Sequence, residues 1–220
     1  MTFKNNEIIW NEANQLLKQG KDDLAIKLFT NISNSGDWSG SYMLGYIYQE
    51  RGMKQDSQSD ICIATHKKSL KWFERSLTQH EQYLASYGIA KYYYYGLGGE
   101  INHKKALDYL LKSISSESFD ENQVPLAYAM MGELLWHGKG CAKDLMKSKE
   151  FFYKAVSLEY PAGYVGLMRV AVYENKYLSV FALYIKGIIL SLKLYFSDSN
   201  HPQLAGIGRK WGNVRLPKEV

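Results

Sequence analysis

Proline and cysteine are both scarce in this sequence. Its 220 residues include only 4 prolines and 2 cysteines. So few prolines favour long helices, because a proline inside a helix removes a hydrogen bond and clashes with the preceding turn. Two cysteines, Cys62 and Cys141, are too few for a disulfide scaffold, and in a reducing compartment both would be free thiols. We therefore expect a protein held together by its hydrophobic core.

Signals for nucleic-acid binding and for secretion are lacking as well. Lysine and arginine exceed aspartate and glutamate by only 27 to 22, and no basic block of the nucleic-acid-binding kind occurs. The N-terminal region holds no apolar stretch of about 7 to 15 residues, which a secretory signal needs. These absences predict a cytoplasmic protein that does not bind nucleic acid.

The common catalytic signatures are missing too. The sequence contains no HExxH, no GxSxG, no phosphate-binding GxxxxGK followed by serine or threonine, and no CxxC, and its five histidines are scattered without metal-ligand spacing. We therefore expect no metal and no cofactor. One enzymatic alternative stays open, because His137 and Glu133 are four residues apart on one helix face and could act as acid and base.

An internal repeat is the main positive signal. Two segments align with each other without a gap, and every shared position keeps its chemical type. In the first segment the shared positions are Ala85, Ile89, Ala90, Tyr93, Gly96, Gly98, Asn102, Ala106, Tyr109 and Lys112; in the second they are Ala127, Met131, Gly132, Leu135, Gly138, Gly140, Asp144, Ser148, Phe151 and Lys154.

The order of these residue types predicts a helical hairpin. Small residues such as Ala90 and Gly132 let a neighbouring helix approach, and large apolar residues beside them fill the remaining space. The glycine pair that follows supplies the positive φ that ends a helix and turns the chain back. Asn102 and Asp144 then stand where a second helix needs an N-cap acceptor. Each segment is therefore two helices joined by a tight turn.

This arrangement resembles the Sel1-like repeat of the tetratricopeptide superfamily. A third unit, residues 40–77, keeps Leu44 and Gly45 but has Gly52 in place of the glycine pair, and its residues 53–64 are expected to form a longer loop. The end units are less regular, as the terminal repeats of stacked arrays usually are. In the last one the second helix should start near Asn175 or Ser179.

The resemblance implies an all-α fold, a right-handed α-solenoid of about five stacked helical hairpins. The first unit resembles the plain tetratricopeptide spacing. We predict a solenoid over residues 1–196 and a C-terminal tail over residues 197–220. The expected units are residues 7–36, 39–78, 84–115, 126–159 and 162–195.

The run from Tyr177 to Phe196 is apolar enough to raise the question of a transmembrane helix. Lys186 and Lys193 argue against that, because a lysine at the centre of a spanning helix costs about 2.5 to 3.5 kcal/mol. We expect the buried last helix of the solenoid, with Lys186 on its solvent side. Self-association through this helix and peripheral membrane binding remain as alternatives.

Aromatic residues recur on the first helix of each predicted unit. The four tyrosines from Tyr92 to Tyr95 cannot share one face, so we expect Tyr93 in the core and Tyr94 and Tyr95 elsewhere. The resemblance implies that such positions line a concave face, where aromatic rings are typical of interaction hot spots. The alternative is that a tight superhelix buries the rings. The predicted partner-binding residues are Trp10, Tyr42, Tyr46, Glu50, Tyr87, Lys91, Tyr94, Tyr95, Glu133, Trp136 and His137.

The resemblance also implies a function. Sel1-like chains are expected to be bacterial, non-enzymatic interaction modules that bind a partner protein through the concave face. Stand-alone chains of this size are similar to immunity proteins, in which case the partner is a toxin or an effector. The alternatives are an enzyme subunit that uses His137 and Glu133 and a peripheral membrane adaptor that uses the apolar segment 177–196.

Overall fold

A computed structural model describes residues 2–55, 59–80, 83–117 and 119–197. Within those ranges the chain forms ten α-helices and one short 3-10 helix, Glu121–Gln123, and no strand. The all-α prediction is therefore confirmed. The helices are α1 Thr2–Lys18, α2 Asp22–Asn34, α3 Trp38–Met53, α4 Asp60–Gln79, α5 Tyr83–Tyr95, α6 His103–Ile114, α7 Pro125–His137, α8 Leu145–Ser157, α9 Pro161–Tyr173 and α10 Tyr177–Ser197.

Consecutive helices pack as hairpins within two compact units. Among the described residues, unit 1 ends at residue 119 and unit 2 runs from residue 120 to residue 197. In unit 1 the hairpins are α1 with α2, α3 with α4 and α5 with α6, and α2 also packs on α3 and α4 on α5. In unit 2, α7 pairs with α8 and α9 with α10, while α8 and α9 join the two hairpins. Each unit is thus a stack of helix pairs.

A phenylalanine wedged between two glycines holds neighbouring hairpins together in unit 1. Phe73 on α4 is 2% exposed and belongs to a core cluster with Ala85, Ile89 and Tyr92. A Cβ atom added at Gly45 on α3 would lie 2.7 Å from the Phe73 ring, and one added at Gly88 on α5 would lie 3.0 Å from it. The glycines therefore make room for a ring that both hairpins share.

Unit 2 contains the same arrangement of a buried phenylalanine between two glycines. Phe152 on α8 is fully buried, and a Cβ atom at Gly132 on α7 would come within 2.5 Å of its ring. A Cβ atom at Gly166 on α9 would overlap the ring from the other side. Leu167 and Val170 complete this cluster. The small residues of the repeat thus set how closely the helices approach.

The predicted turn chemistry is confirmed in both well-formed units. Asn102 Oδ1 accepts a hydrogen bond of 2.9 Å from the backbone N–H of Lys105, and Asp144 Oδ1 accepts one of the same length from that of Lys147. These are N-cap contacts at the start of α6 and α8. The glycines before them have positive φ angles, 69° at Gly96, 72° at Gly98, 65° at Gly138 and 77° at Gly140.

Two local expectations are wrong. Residues 53–64 do not form one long loop, because α4 already begins at Asp60, where Ser59 Oγ accepts a hydrogen bond of 3.1 Å from the Cys62 N–H. A serine N-cap is enough to start a helix inside a polar stretch. In the tyrosine run, Tyr92 is the core residue at 2% exposure, whereas Tyr93 is half-buried and stacks on Tyr109.

Helix α10 differs most from its prediction. It starts at Tyr177, between the two starts expected, and Lys186 is exposed as expected. It is not a buried core helix, however, because its only residues classed as buried are Gly187, Leu190 and Leu194. By length and composition it is the one helix among the described residues that could cross a membrane. Apart from residue 197, the predicted tail lies outside the described residues.

Candidate partner-binding face

One position of the repeat places a polar or aromatic side chain on the first helix of successive hairpins. Tyr46 and Lys91 occupy this position in unit 1, and Glu133 and Arg169 occupy it in unit 2. The first helices of neighbouring hairpins contact each other directly, α3 with α5 and α7 with α9. The side chains at this position are therefore brought together within each unit.

In unit 1 these residues form what we call the tyrosine–lysine face, defined as Tyr42, Tyr46 and Glu50 on α3 with Tyr87 and Lys91 on α5. The Lys91 ammonium lies 5.2 Å from the centre of the Tyr87 ring, within the range of a cation–π interaction. The structure thus brings together five of the predicted partner-binding residues.

Burial and charge together set the electrostatics of this face. Burial lowers the pKa of Lys91 to about 8, although the nearby Glu50 carboxylate acts in the opposite direction. Burial also raises the pKa of Tyr42 to about 12, and burial with the charge of Glu50 raises the pKa of Tyr46. A lysine that has lost part of its hydration shell gains more than an exposed one from a new anionic neighbour.

Exposure differs among the rings of the face. Tyr46 is 44% exposed, while Tyr42 and Tyr87 are half-buried. Tyr42 packs 5.9 Å from the Phe73 ring, so one of its sides belongs to the core. Tyr42 therefore helps to pack the unit, whereas Tyr46 presents its ring to solvent.

Three other predicted residues of unit 1 have ring contacts outside this face. Trp10 on α1 packs edge-on against Phe29, at 5.2 Å between ring centres, beside the core cluster of the first hairpin. Tyr94 and Tyr95 are at the end of α5 with their ring centres 4.8 Å apart, and Tyr94 lies 5.9 Å from His103 at the start of α6.

In unit 2 the predicted residues meet partners that the sequence did not reveal. Arg169 Nη1 lies 2.9 Å from both carboxylate oxygens of Glu133, and Trp136 packs edge-on against Tyr173 at 5.7 Å. Arg169 and Tyr173 belong to the last and least regular unit. Aligning that unit with the others would have identified both, since Arg169 and Tyr173 follow Pro161 at the same offsets at which Glu133 and His137 follow Pro125.

The side chains of the proposed acid–base pair lie close together, but Glu133 is also paired with Arg169. His137 Nε2 lies 3.5 Å from Glu133 Oε2. Burial lowers the pKa of His137, Arg169 and Lys139 lower it further, and Glu133 acts in the opposite direction. The Glu133 carboxylate is already held by Arg169, whose Nη1 lies 2.9 Å from both of its oxygens. The geometry therefore suits a structural ion pair better than catalysis.

Other chemistry finds little support in the same ranges of the chain. No group of three or more His, Cys, Asp or Glu side chains that could hold a metal occurs among the described residues. Both cysteines are free thiols, with Cys62 buried and Cys141 partly exposed. The feature of this surface that stands out is thus the aromatic and charged face itself.

Comparison with known proteins agrees with the repeat pattern. The family model for the Sel1 repeat matches residues 38–59, 84–118 and 125–160. A Sel1 repeat protein from Oxalobacter formigenes superposes with a TM-score of 0.62 at 18% identity, covering 86% of this chain and 76% of that one. This likeness shows the fold. The protective antigen c5321 of uropathogenic Escherichia coli, which has an SLR fold, gives a TM-score of 0.41 at 15% identity, over 98% of this chain and 50% of that one. No match was found among curated proteins.

Proposed function

The chain carries Sel1 repeats at three segments, and from that premise we propose that it is a cytoplasmic module that binds a partner protein through the tyrosine–lysine face of unit 1. Sel1 repeats generally mediate protein–protein interactions. The proposal rests on the half-buried Lys91, whose ammonium lies over the Tyr87 ring, on the same face as the exposed ring of Tyr46. No chemistry of its own is needed for this role.

The rings of the face support the proposal. Tyrosine offers a large amphipathic surface and loses little conformational entropy when it is fixed, which is why it is enriched at interaction hot spots. Tyr46 is 44% exposed, so a partner can still bury much of its ring. Tyr42 is anchored against Phe73, and an anchored ring gives a partner a preformed surface to pack on.

The charge of the face indicates what kind of segment would fit. Lys91 is charged at neutral pH, since its pKa is about 8, and its hydrogen bond goes to the neutral side chain of Gln49. Glu50 is the acid that acts on it electrostatically. A partner segment with an apolar side chain over Tyr46 and a carboxylate near Lys91 would complement both features.

The test measures binding with variants of the face. Wild-type chain is used to capture a partner from a lysate of its native cells, and affinity for the purified partner is then measured by calorimetry. Tyr46→Ala and Lys91→Met should each weaken binding about tenfold or more, as truncated hot-spot residues do. Tyr153→Ala is the matched control, because Tyr153 is also a half-exposed ring, at 55%, on α8 in the other unit. Unchanged affinity in both face variants, with helical content intact, would reject the proposal.

A narrower form of the proposal is that the partner is a toxin or an effector and the chain is its immunity protein. Support comes from the similarity of stand-alone Sel1-like chains to such inhibitors. Co-expression with the products of neighbouring genes tests it. Rescue from a toxic neighbour is expected with the wild type and with Tyr153→Ala, and not with Tyr46→Ala. If none of the neighbours is toxic, the narrower form fails and the binding proposal stands on calorimetry alone.

A further inference from the structure

The exposed side of α10 carries a regular seam of apolar residues. In heptad notation Leu178, Ile185 and Leu192 take position a, and Phe181, Ile188 and Tyr195 take position d, which is the spacing that faces a partner helix in a coiled coil. Leu178 is 90% exposed and Phe181 68%. The residues of α10 that are buried lie at positions c and f, on the opposite side. The helix therefore has two apolar faces, and α9 covers only one of them.

The seam, together with the apolar residues that flank it, is larger than the apolar patches that monomers usually leave open. Nine large side chains of α10 are between 40% and 90% exposed, which amounts to on the order of 1,000 Å² if a fully exposed ring presents about 200 Å². The largest patch on a typical monomer is about 300–600 Å², and a stable interface needs about 800 Å² from each partner. Five of the nine belong to the seam, Leu178, Phe181, Ile185, Leu192 and Tyr195, and four flank it at positions e and g, Tyr177, Tyr184, Ile189 and Phe196.

We infer that a second copy of this chain covers the seam, through antiparallel pairing of the two α10 helices about a two-fold axis near Lys186. A homodimer with such an axis presents the same surface from each copy. The area is sufficient, and the spacing requires a helix of similar length as the occupant.

The order of side chains along the seam favours the antiparallel direction. With the axis at the centre of the seam, Leu178 faces Tyr195 of the partner copy and Phe181 faces its Leu192, so each outer layer holds one ring and one aliphatic side chain. Ile185 and Ile188 fill the central layer. In a parallel pair each ring would meet its own copy and the layers would alternate between overfilled and underfilled. Constant layer volume is what close packing of two helices requires.

The charges of α10 are compatible with this pairing. The helix has no acidic residue, and its two lysines both lie at heptad position b, on the side of the helix away from the seam. Lys193 is paired with Glu159 at 2.5 Å, and Lys186 is exposed. A membrane is a poorer occupant, because Lys186 would sit near the middle of the spanning segment at a cost of about 2.5 to 3.5 kcal/mol.

The first experiment measures mass by sedimentation velocity and light scattering on the full chain across a range of concentrations. We expect a dimer of twice 25.3 kDa, and we expect Phe181→Asp with Ile185→Asp to be monomeric with unchanged helical content. Met146→Asp is the matched control, since Met146 is a 71% exposed apolar residue on α8, and it should remain dimeric. A wild type that stays monomeric at 100 times the concentration used for purification overturns the inference.

Two further outcomes identify another occupant. A monomer that sediments with vesicles of anionic and neutral phospholipid shows that the seam binds a membrane. A monomer that ignores vesicles, and that dimerises or binds vesicles once residues 198–220 are deleted, shows that those residues cover the seam. Either result overturns the dimer. The test makes no use of the tyrosine–lysine face, so its outcome is independent of the proposed function.

The antiparallel direction of the two α10 helices is tested by cysteine cross-linking in a chain whose Cys141 is replaced by serine. Cysteines at positions 185 and 188 should form an intermolecular disulfide in an antiparallel dimer. A single cysteine in Leu178→Cys should not, because the two copies would be separated by about 17 residues of helix, or about 25 Å. Efficient cross-linking of Leu178→Cys would show a parallel pair and overturn the proposed geometry.

Discussion

The ammonium group of Lys91 on α5 donates a hydrogen bond of 2.8 Å to Gln49 Oε1 on α3, although Gln49 is only 2% exposed. This bond links two consecutive hairpins of unit 1 through a cation and a buried amide. It also explains why a polar residue is tolerated at position 49, since a buried amide oxygen without a donor would be costly.

The stability of the chain should depend on pH through Lys91. Its pKa in the folded chain is about 8, below the ordinary 10.5, so between these values the unfolded chain binds more protons and the free energy of unfolding rises with pH. The slope is at most about 1.4 kcal/mol per pH unit. The Lys91→Met variant lacks this group, whereas Tyr42 and Tyr92 titrate in both chains. The free energy of unfolding in urea should therefore rise more between pH 7.5 and pH 9.5 in the wild type than in the variant. Equal rises would contradict the prediction.

Substituting a glycine that faces Phe152 should destabilise unit 2. Gly166→Ala places a methyl group against the Phe152 ring, which is fully buried and already touches Gly132 on its other side. Alanine is favoured over glycine in a helix by about 1 kcal/mol, but overpacking a closed core costs about 1–3 kcal/mol. We expect a net loss of stability in chemical denaturation.

A compensating change distinguishes steric overlap from other causes. Phe152→Leu removes the ring atoms that the new methyl group would meet, so it should cost less stability in the Gly166→Ala background than in the wild type. The difference between the two backgrounds is the coupling energy of a double-mutant cycle, which is expected to reach about 1 kcal/mol for residues in contact. Additive effects would show that the ring is not the obstacle.

Much of the fold could be predicted because its signals are local. The glycines at Gly138 and Gly140 and the cap at Asp144 each act within a few residues of their own position, so the sequence places them correctly. The burial of Tyr92 in place of Tyr93 depends on which side of α5 the ring of Phe73 occupies. That choice is made by a neighbouring hairpin, and a pattern within one helix cannot contain it.

The candidate site shows the same limit. The sequence identified Tyr46, Glu50 and Lys91, because these residues share a repeat position or lie one turn from it. It did not separate Trp10, whose ring packs on Phe29, from the residues that line the face. It missed Arg169, because the last unit lacks the glycine pair that would align it with the others. The contact of Arg169 with Glu133 also links two first helices, and the sequence of one helix does not contain such a pairing.

The ion pair between Glu133 and Arg169 should contribute more to stability than an exposed pair in the same unit. The Glu133 side chain is 20% exposed and that of Arg169 35%, whereas Lys193 and Glu159 are 62% and 58% exposed. A double-mutant cycle with Glu133→Gln and Arg169→Met should give a coupling energy of about 1 kcal/mol, and one with Lys193→Met and Glu159→Gln a value near zero, as exposed pairs do. Equal coupling in the two cycles would contradict this ranking.

Substitutions at position 138, in the turn after α7, should lower stability according to how poorly each residue adopts a left-handed backbone conformation. Gly138 has a φ of 65°, and Asn175, the second residue after α9, adopts 58° without being a glycine. Asparagine tolerates this conformation better than alanine, which loses about 1–2 kcal/mol there. Thermal unfolding should therefore give wild type, Gly138→Asn and Gly138→Ala in falling order of stability. Gly99→Ala is the control, because Gly99 lacks a positive φ and nothing lies within 4 Å of the added atom, so it should lose little. An alanine at position 138 as stable as asparagine would show that the turn relaxes to another conformation.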